Sequence, residues 1–186
     1  MTNIHPTAVV DPGAELGEGV EVGPYCVIGP HVRLGPGTRL MSHVVIDGHT
    51  SLGRECTVFP FASLGTLTQD LKYRGGAPRV EIGDRTTIRE YATVNTATAD
   101  GDATRVGSGC LIMACAHVAH DCRVGDGVII ANGTGLSGHV VVEEQAIFGG
   151  MCGIHQFCRI GRMSMIGGLS RVTQDVPPYM ICEGNP

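Results

Sequence analysis

A large apolar residue recurs every six positions along most of the chain. From Ile4 to Val172, 26 of the 29 positions in this phase are Leu, Ile, Val or Phe, and only Asp70, Gly76 and Asp100 interrupt the series. A period of six fits neither an amphipathic helix nor the two-residue alternation of a half-buried strand. It is typical of the hexapeptide repeat of a parallel β-helix, in which each unit is one short strand and a turn.

The repeat predicts an all-β solenoid over residues 1–186. Three units close one triangular coil, and the large apolar residue and the small residue two positions before it both point into the prism. Coils that stack at strand spacing, about 4.8 Å, give a prism roughly 45 Å long for some nine coils. Gly is common directly after the large apolar residue, where we expect it to supply a positive φ at a corner.

The repeat breaks twice, at 65–81 and at 95–105. We expect both segments to be loops that project from a corner, because insertions into a solenoid have no other place to go. Loops on a rigid scaffold often carry binding groups, and the first contains Gln69, Asp70 and Lys72. The alternative is a solvated loop with ordinary charges.

Composition narrows the class of protein. The hydrophobic fraction of 42% excludes disorder, and the net charge of −5 without a basic run argues against nucleic-acid binding. No stretch is long and apolar enough to span a membrane and no secretion signal is present, so we expect a cytoplasmic protein. All cysteines except Cys115 fall in the small inward phase, which predicts structural thiols rather than disulfides or metal ligands.

Histidines cluster in the second half of the chain. Four have phases that place them on outer faces or corners: His117, His120 followed by Asp121, His139, and His155 followed by Gln156. A single outward histidine is usually only a surface residue, but four at nearby coil levels indicate a site. Imidazole titrates nearest neutrality, so it can take a proton from a hydroxyl in one step and return it in another.

Several segments together resemble one enzyme family. They are SHVVIDGHT, FASLGTLTQDLKYRGG, AHVAHDCRVGD, GGMCGIHQF and QDVPPYM, in this order. They are similar to the bacterial UDP-N-acetylglucosamine acyltransferases that begin lipid A synthesis, over essentially all 186 residues. The resemblance implies a left-handed prism, a homotrimer with sites between subunits, and transfer of an (R)-3-hydroxyacyl group from acyl carrier protein to the 3-hydroxyl of UDP-N-acetylglucosamine.

The resemblance also implies roles for individual residues. His120 matches the general base, Asp121 the residue that orients it, and Gly138 the position whose backbone N–H stabilises the oxyanion. Residues that match the lining of the sugar-nucleotide and acyl-pantetheine sites are Gln69, Asp70, Lys72, His117, His139, His155 and Gln156. Gly168 matches the position that measures acyl length, where a small residue admits a longer chain. No metal or other cofactor is implied beyond the carrier protein's phosphopantetheine thioester.

Two departures from the family affect these expectations. The second loop has Asn95-Thr96-Ala97-Thr98 where the family has a more compact motif with Gly-Thr, which changes that part of the substrate pocket. The family continues past the position of Pro186 into a C-terminal helical domain that supplies nucleotide and carrier-protein contacts, so we expect this chain to be either a truncated chain or a short variant. We therefore expect weaker nucleotide binding and carrier docking.

Other functions are compatible with the same repeat. The nearest is another sugar acyl- or acetyltransferase with the same fold. A second is a zinc lyase resembling the hexapeptide-fold carbonic anhydrases, with His117, His120 and His139 as ligands. A third is a non-catalytic scaffold. Within the acyltransferase interpretation, Cys115 or Cys122 paired with His120 is an alternative route through a covalent acyl-enzyme.

Overall fold

The computed structural model describes residues 1–185 as a left-handed parallel β-helix; Pro186, the last residue of the predicted domain, lies outside the described residues. The first strands are β1 (Asn3–Ile4), β2 (Val9–Val10), β3 (Glu15–Leu16), β4 (Glu21–Val22), β5 (Val27–Ile28), β6 (Arg33–Leu34), β7 (Arg39–Leu40), β8 (Val45–Ile46), β9 (His49–Leu52), β10 (Thr57–Val58), β11 (Ser63–Thr66), β12 (Arg79–Ile82), β13 (Thr87–Ile88) and β14 (Thr93–Asn95). The remaining strands are β15 (Ala103–Val106), β16 (Leu111–Ile112), β17 (His117–Val118), β18 (Arg123–Val124), β19 (Ile129–Ile130), β20 (Gly135–Leu136), β21 (Val141–Val142), β22 (Ile147–Phe148), β23 (Gly153–Ile154), β24 (Arg159–Ile160), β25 (Met165–Ile166), β26 (Arg171–Val172) and β27 (Ile181–Cys182).

The strands form three parallel sheets, one for each side of the prism. Sheet A has ten strands and runs from β1 to β27, sheet B has nine and runs from β2 to β26, and sheet C has eight and runs from β3 to β24. In each sheet the hydrogen-bonded neighbour of a strand is its counterpart one coil further on, so Val118 of β17 pairs with Leu136 of β20. The predicted prism is confirmed.

The core lies inside the prism. Ile46, Leu64 and Ile112 are fully buried, whereas Ile4 is 44% exposed because the first coil has no coil before it. The predicted inward thiols are confirmed for Cys26, Cys56, Cys110, Cys122, Cys152 and Cys158, which are buried, and for Cys182, which is partly buried. Cys115, the thiol out of phase, is exposed.

The prediction that Gly after the apolar residue supplies a positive φ is wrong. The positive φ values fall two positions later in the turn, mostly at other residue types such as Tyr25 (59°) and Phe61 (65°). The glycines serve a close approach of coils instead: a Cβ at Gly35 would lie 2.4 Å from the carbonyl carbon of Gly53. Gly is therefore needed at positions such as Gly35, where the backbones of neighbouring coils approach too closely for a side chain.

Both insertions leave the corner between sheets B and C. They connect β11 to β12 through residues 67–78 and β14 to β15 through residues 96–102, so the predicted bounds, 65–81 and 95–105, were too wide. The ends of both segments are strand because β12 and β15 lengthen to four residues; β12 pairs with β9 on one side and with β15 on the other. We call residues 67–78 the first loop and 96–102 the second loop.

Candidate active site

Three successive turns at the corner between sheets B and C carry three of the four outward histidines, His120, His139 and His155. These turns, residues 119–122, 137–140 and 155–158, follow β17, β20 and β23. They stack directly, since the His139 N–H donates to the His120 carbonyl at 3.0 Å and the Phe157 N–H donates to the Gly138 carbonyl at 3.1 Å. Asp121 and His139 have φ values of 61° and 62°, a region that Asp and His adopt more readily than most residues.

His120 and Asp121 form a partly buried pair in the first of these turns. The Nδ1 atom of His120 lies 2.9 Å from Oδ2 of Asp121, and the two side chains are 15% and 12% exposed. An ionised carboxylate only accepts hydrogen bonds, so the imidazole proton resides on Nδ1 and the lone pair on Nε2. The backbone N–H of Asp121 is held by Oγ1 of Thr104 at 2.8 Å. The pair therefore has the tautomer that a general base requires.

The carboxyl group of Asp121 stays ionised in spite of its burial. Burial acts to raise the pKa of Asp121, but hydrogen bonds to His120 and to Thr98 together with the nearby His139 outweigh it. The result is a pKa below the ordinary value, so Asp121 carries its charge throughout the neutral range.

Gly138 lies against the His120 ring. A Cβ at Gly138 would be 2.3 Å from Cε1 and 2.4 Å from Nε2 of that ring. The same corner phase contains Pro24, Pro30 and Pro36 elsewhere in the chain, so the inter-coil hydrogen bonds do not need an N–H in this phase. The Gly138 N–H has no acceptor among residues 1–185. The turn thus presents a free backbone donor beside the imidazole.

The first loop and the next turn complete the wall of the site. Asp70, His120 and His139 each place one nitrogen or carboxylate oxygen within 4.8 Å of the other two. The His139 ring meets the His120 ring edge-on, with centroids 5.2 Å apart, and stacks on Phe157 at 4.6 Å. The site is therefore built by three turns of one corner and a loop that leaves the same corner.

The second loop contributes Thr98, which the sequence analysis missed as a site residue. Its backbone N–H donates to both carboxylate oxygens of Asp121, at 3.3 and 3.2 Å. Its Oγ1 lies 3.2 Å from Nδ1 of His120. Thr98, the last residue of the segment noted as a departure from the family, thus supports the His–Asp pair directly.

The other predicted site residues lie outside the His120–Asp121 pair. His117 is on β17, where burial first and the nearby His120 second lower its pKa, and its Nδ1 lies 2.7 Å from Oγ1 of Thr93. His155 and Gln156 are exposed in the turn one coil beyond His139, and Gln69 and Lys72 are exposed on the first loop. Gly168 is at a different corner, between β25 and β26. A cavity of about 500 Å³ between the loops is lined by Lys72, Arg74 and Thr98, among others.

Two of the alternatives have little support in this geometry. Among residues 1–185, the group close enough together to hold a metal ion is Asp70, His120 and His139, and His117 is not part of it. The predicted zinc set was therefore wrong in one ligand. As for a covalent route, burial raises the pKa of Cys122 to about 12, so its thiol stays protonated, and Cys115 lies at another corner, between β16 and β17.

The bacterial transferase hexapeptide model, a repeat of six units, matches residues 1–36 and 103–138. The solved LpxA of Acinetobacter baumannii is 48% identical, with a TM-score of 0.97, over 98% of this chain and 71% of that one. The LpxA of Moraxella catarrhalis, a UDP-N-acetylglucosamine O-acyltransferase, is 43% identical over 97% of this chain and 71% of that one, with a TM-score of 0.94. This chain belongs to the UDP-N-acetylglucosamine acyltransferase family.

A third solved relative is similar to this chain to the same degree in structure. The UDP-N-acetylglucosamine acyltransferase of Francisella novicida is 39% identical with a TM-score of 0.95, over 99% of this chain and 67% of that one. This chain aligns along nearly its whole length and spans 67–71% of the length of these three relatives. Within residues 1–185, it contains no helix that is long and apolar enough to cross a lipid bilayer.

Proposed function

We propose that this acyltransferase moves an (R)-3-hydroxyacyl group from acyl carrier protein to the 3-hydroxyl of UDP-N-acetylglucosamine, the first step of lipid A synthesis. The observation that carries the proposal is the His120–Asp121 pair with the unbonded Gly138 N–H beside it. A base and an oxyanion donor side by side are the two groups that acyl transfer to an alcohol needs.

His120 acts as the general base. Its Nε2 takes the proton of the sugar 3-hydroxyl while that oxygen forms a bond to the thioester carbonyl carbon. The Asp121 carboxylate, 2.9 Å from Nδ1, stabilises the imidazolium that results. General-base assistance of this kind contributes about 10²- to 10⁴-fold to the rate.

Gly138 stabilises the tetrahedral intermediate. The carbonyl oxygen becomes negative when the sugar oxygen adds, and the Gly138 N–H donates to it; one such fixed donor contributes about 3 kcal/mol. The intermediate then collapses with cleavage of the C–S bond, and the imidazolium returns its proton to the leaving pantetheine sulfur. The products are the sugar ester and the free carrier thiol, and no acyl-enzyme forms.

The remaining predicted residues bind the two substrates. Asp70 and His139 contact the sugar beside the base, and Gln69 and Lys72 on the first loop hold the nucleotide part. His155 and Gln156 follow on the same corner and line the acyl-pantetheine path. Gly168 sets the acyl length; the space outside it is open, since a Cβ there would meet nothing closer than 3.4 Å.

The active form is a homotrimer that packs through sheet B. Outward residues of sheet B include Val9, Val27, Val45 and Thr93, whereas sheet C presents charged residues such as Arg123. Val9 and Val27 are 64% and 45% exposed in a single chain, which leaves apolar area for a partner to cover. A trimer built on this face brings the corner between sheets B and C to a subunit boundary.

We expect Val27→Arg to break the trimer. Arg at an interface position would be buried without a partner charge, at a cost of several kcal/mol. The solution mass by light scattering is expected to fall from three chains of 19.5 kDa to one. The control is Thr57→Arg on the outer side of sheet A, which keeps the trimer; a trimeric Val27→Arg protein would move the interface to another face.

Removal of metal ions is expected to leave the activity unchanged. In the proposed mechanism Nε2 of His120 acts as the base without a metal ion. The activity after dialysis against EDTA, with elemental analysis to show that metal has been removed, checks this. Added Zn²⁺ is expected to inhibit, because Asp70, His120 and His139 together offer two imidazoles and one carboxylate and the metal would occupy the base. Loss of activity in EDTA with recovery in Zn²⁺ would instead support the lyase-type metal centre.

The assay that tests the function uses the purified chain with (R)-3-hydroxyacyl carrier proteins of several lengths and UDP-N-acetylglucosamine. We expect a sugar ester detectable by mass spectrometry, with the acyl length that Gly168 admits. An ester formed only from acetyl-coenzyme A, or only on another sugar, would point to a different acyltransferase of the same fold. We place the reaction in the cytoplasm, where thiols stay reduced, which is compatible with the eight free cysteines.

A further inference from the structure

Thr98 joins the second loop to both members of the His120–Asp121 pair. Its backbone N–H is bonded to the Asp121 carboxylate and its side-chain Oγ1 lies 3.2 Å from Nδ1 of His120. Among residues 1–185, Thr98 is the single residue of the two loops that contacts both groups by hydrogen bonds.

Thr98 is also bonded to the first loop. Its Oγ1 lies 3.3 Å from Oγ1 of Thr68, and Thr68 Oγ1 in turn accepts the backbone N–H of Asp70 at 3.1 Å. The backbone N–H of Thr68 donates to Oγ1 of Thr96 at 3.2 Å. Two hydroxyl groups thus form a continuous path from the loop that carries Asp70 to the imidazole of His120.

The directions of these hydrogen bonds depend on the tautomer of His120. Nδ1 of His120 carries a proton because it faces the ionised Asp121, so the Thr98 oxygen is a second acceptor for that proton. The hydroxyl proton of Thr98 is then free to point to Thr68. This arrangement opposes the other tautomer, in which Nε2 would be protonated and unable to act as a base.

We propose that Thr98 is a positioning residue for the reaction, which holds the His120 ring in its Nδ1–H tautomer and ties that ring to the loop carrying Asp70. This inference rests on the proposed role of His120 as the base. It requires no contact between Thr98 and either substrate. It also explains how a second loop that departs from the family motif supports the same chemistry.

The charged groups that face His120 are the same with or without the Thr98 hydroxyl. They are Asp121 in the same turn, His139 from the next turn, Asp70 from the first loop and His117 on β17. Loss of the Thr98 hydroxyl therefore removes one hydrogen-bond partner of the ring and leaves the surrounding charges in place.

The variants Thr98→Val and Thr98→Ser separate positioning from packing. Val keeps the shape and the backbone N–H but lacks the hydroxyl, and we expect kcat to fall about 5- to 10-fold, the size of one net hydrogen bond, with the KM for the sugar nucleotide unchanged. Ser is expected to restore kcat. Thr96→Val is the control: it removes a bond between the loops but none to the pair, so kcat is expected to stay at the wild-type value.

A double-mutant cycle with His120→Ala decides whether Thr98 acts through the imidazole. In that background Thr98→Val is expected to cause no further loss, because the group it positions is gone. An equal loss in both backgrounds, or wild-type kcat in Thr98→Val, would overturn the inference. Wild-type activity of His120→Ala itself would instead contradict the proposed function, so the two failures are distinguishable.

Discussion

His120→Ala is expected to lower kcat by about 10²- to 10⁴-fold while the protein keeps its fold and its oligomeric state. The side chain is outside the prism and 15% exposed, so its removal takes no residue from the core. The loss comes from the missing base: the sugar hydroxyl must then give its proton to water during the attack. Single-turnover kinetics with saturating carrier thioester measures this step directly.

The control for His120→Ala is Cys115→Ala. Cys115 is exposed at another corner, so its removal leaves the His–Asp pair intact and the rate unchanged. A large loss in Cys115→Ala with the fold intact, or a trapped thioester on the protein, would contradict direct transfer and favour an acyl-enzyme. If His120→Ala retained full activity, the base would have to be sought at His139 or Asp70.

The period of six was sufficient to predict the prism and its core. A residue such as Leu64 is buried because every inward position in a stacked coil is covered from both sides, and the spacing alone identifies those positions. The spacing also locates the site. Leu64 pairs with Val94 and Val94 pairs with Val118, so the two loops and the first histidine turn follow successive strands of sheet B.

The phase of the repeat survives the loops for a simple reason. Pairs in sheet B are 30 residues apart from Leu64 to Val94 and 24 apart from Val94 to Val118, against 18 from Val118 to Leu136. The insertions therefore add 12 and 6 residues, both multiples of six. The breaks at Asp70, Gly76 and Asp100 lie within these inserted residues. A count of the inserted residues in the sequence would have predicted that both loops leave the same corner as the histidine turns.

Contacts within the site could not be obtained from the period. The position of Thr98 against Asp121 depends on the path of the second loop, and that path is fixed by particular bonds such as the one from the Ala77 N–H to Asp100. The role of the repeated glycines also needed the structure, because Gly permits both a positive φ and a close approach and the sequence does not distinguish them.

Gly138→Ala is expected to reduce kcat about 10²-fold, a loss that arises from geometry rather than from a missing chemical group. The new Cβ would lie 2.3 Å from Cε1 of His120, more than 1 Å inside ordinary contact, so the ring must move. A displacement of about 1 Å between a base and its substrate costs on the order of 10²-fold. The backbone N–H stays in place, and binding of the sugar nucleotide is expected to change little.

Gly150→Ala is the matched control for this prediction. Gly150 occupies the same phase at a different corner, where a Cβ would meet only the carbonyl oxygen of Asn132 at 3.3 Å, which a small shift relieves. Its kcat is expected to stay within about twofold of wild type, because the His120 ring remains where it is. Equal losses in both variants would show that a general distortion of the turn, and not the contact between Gly138 and His120, lowers kcat.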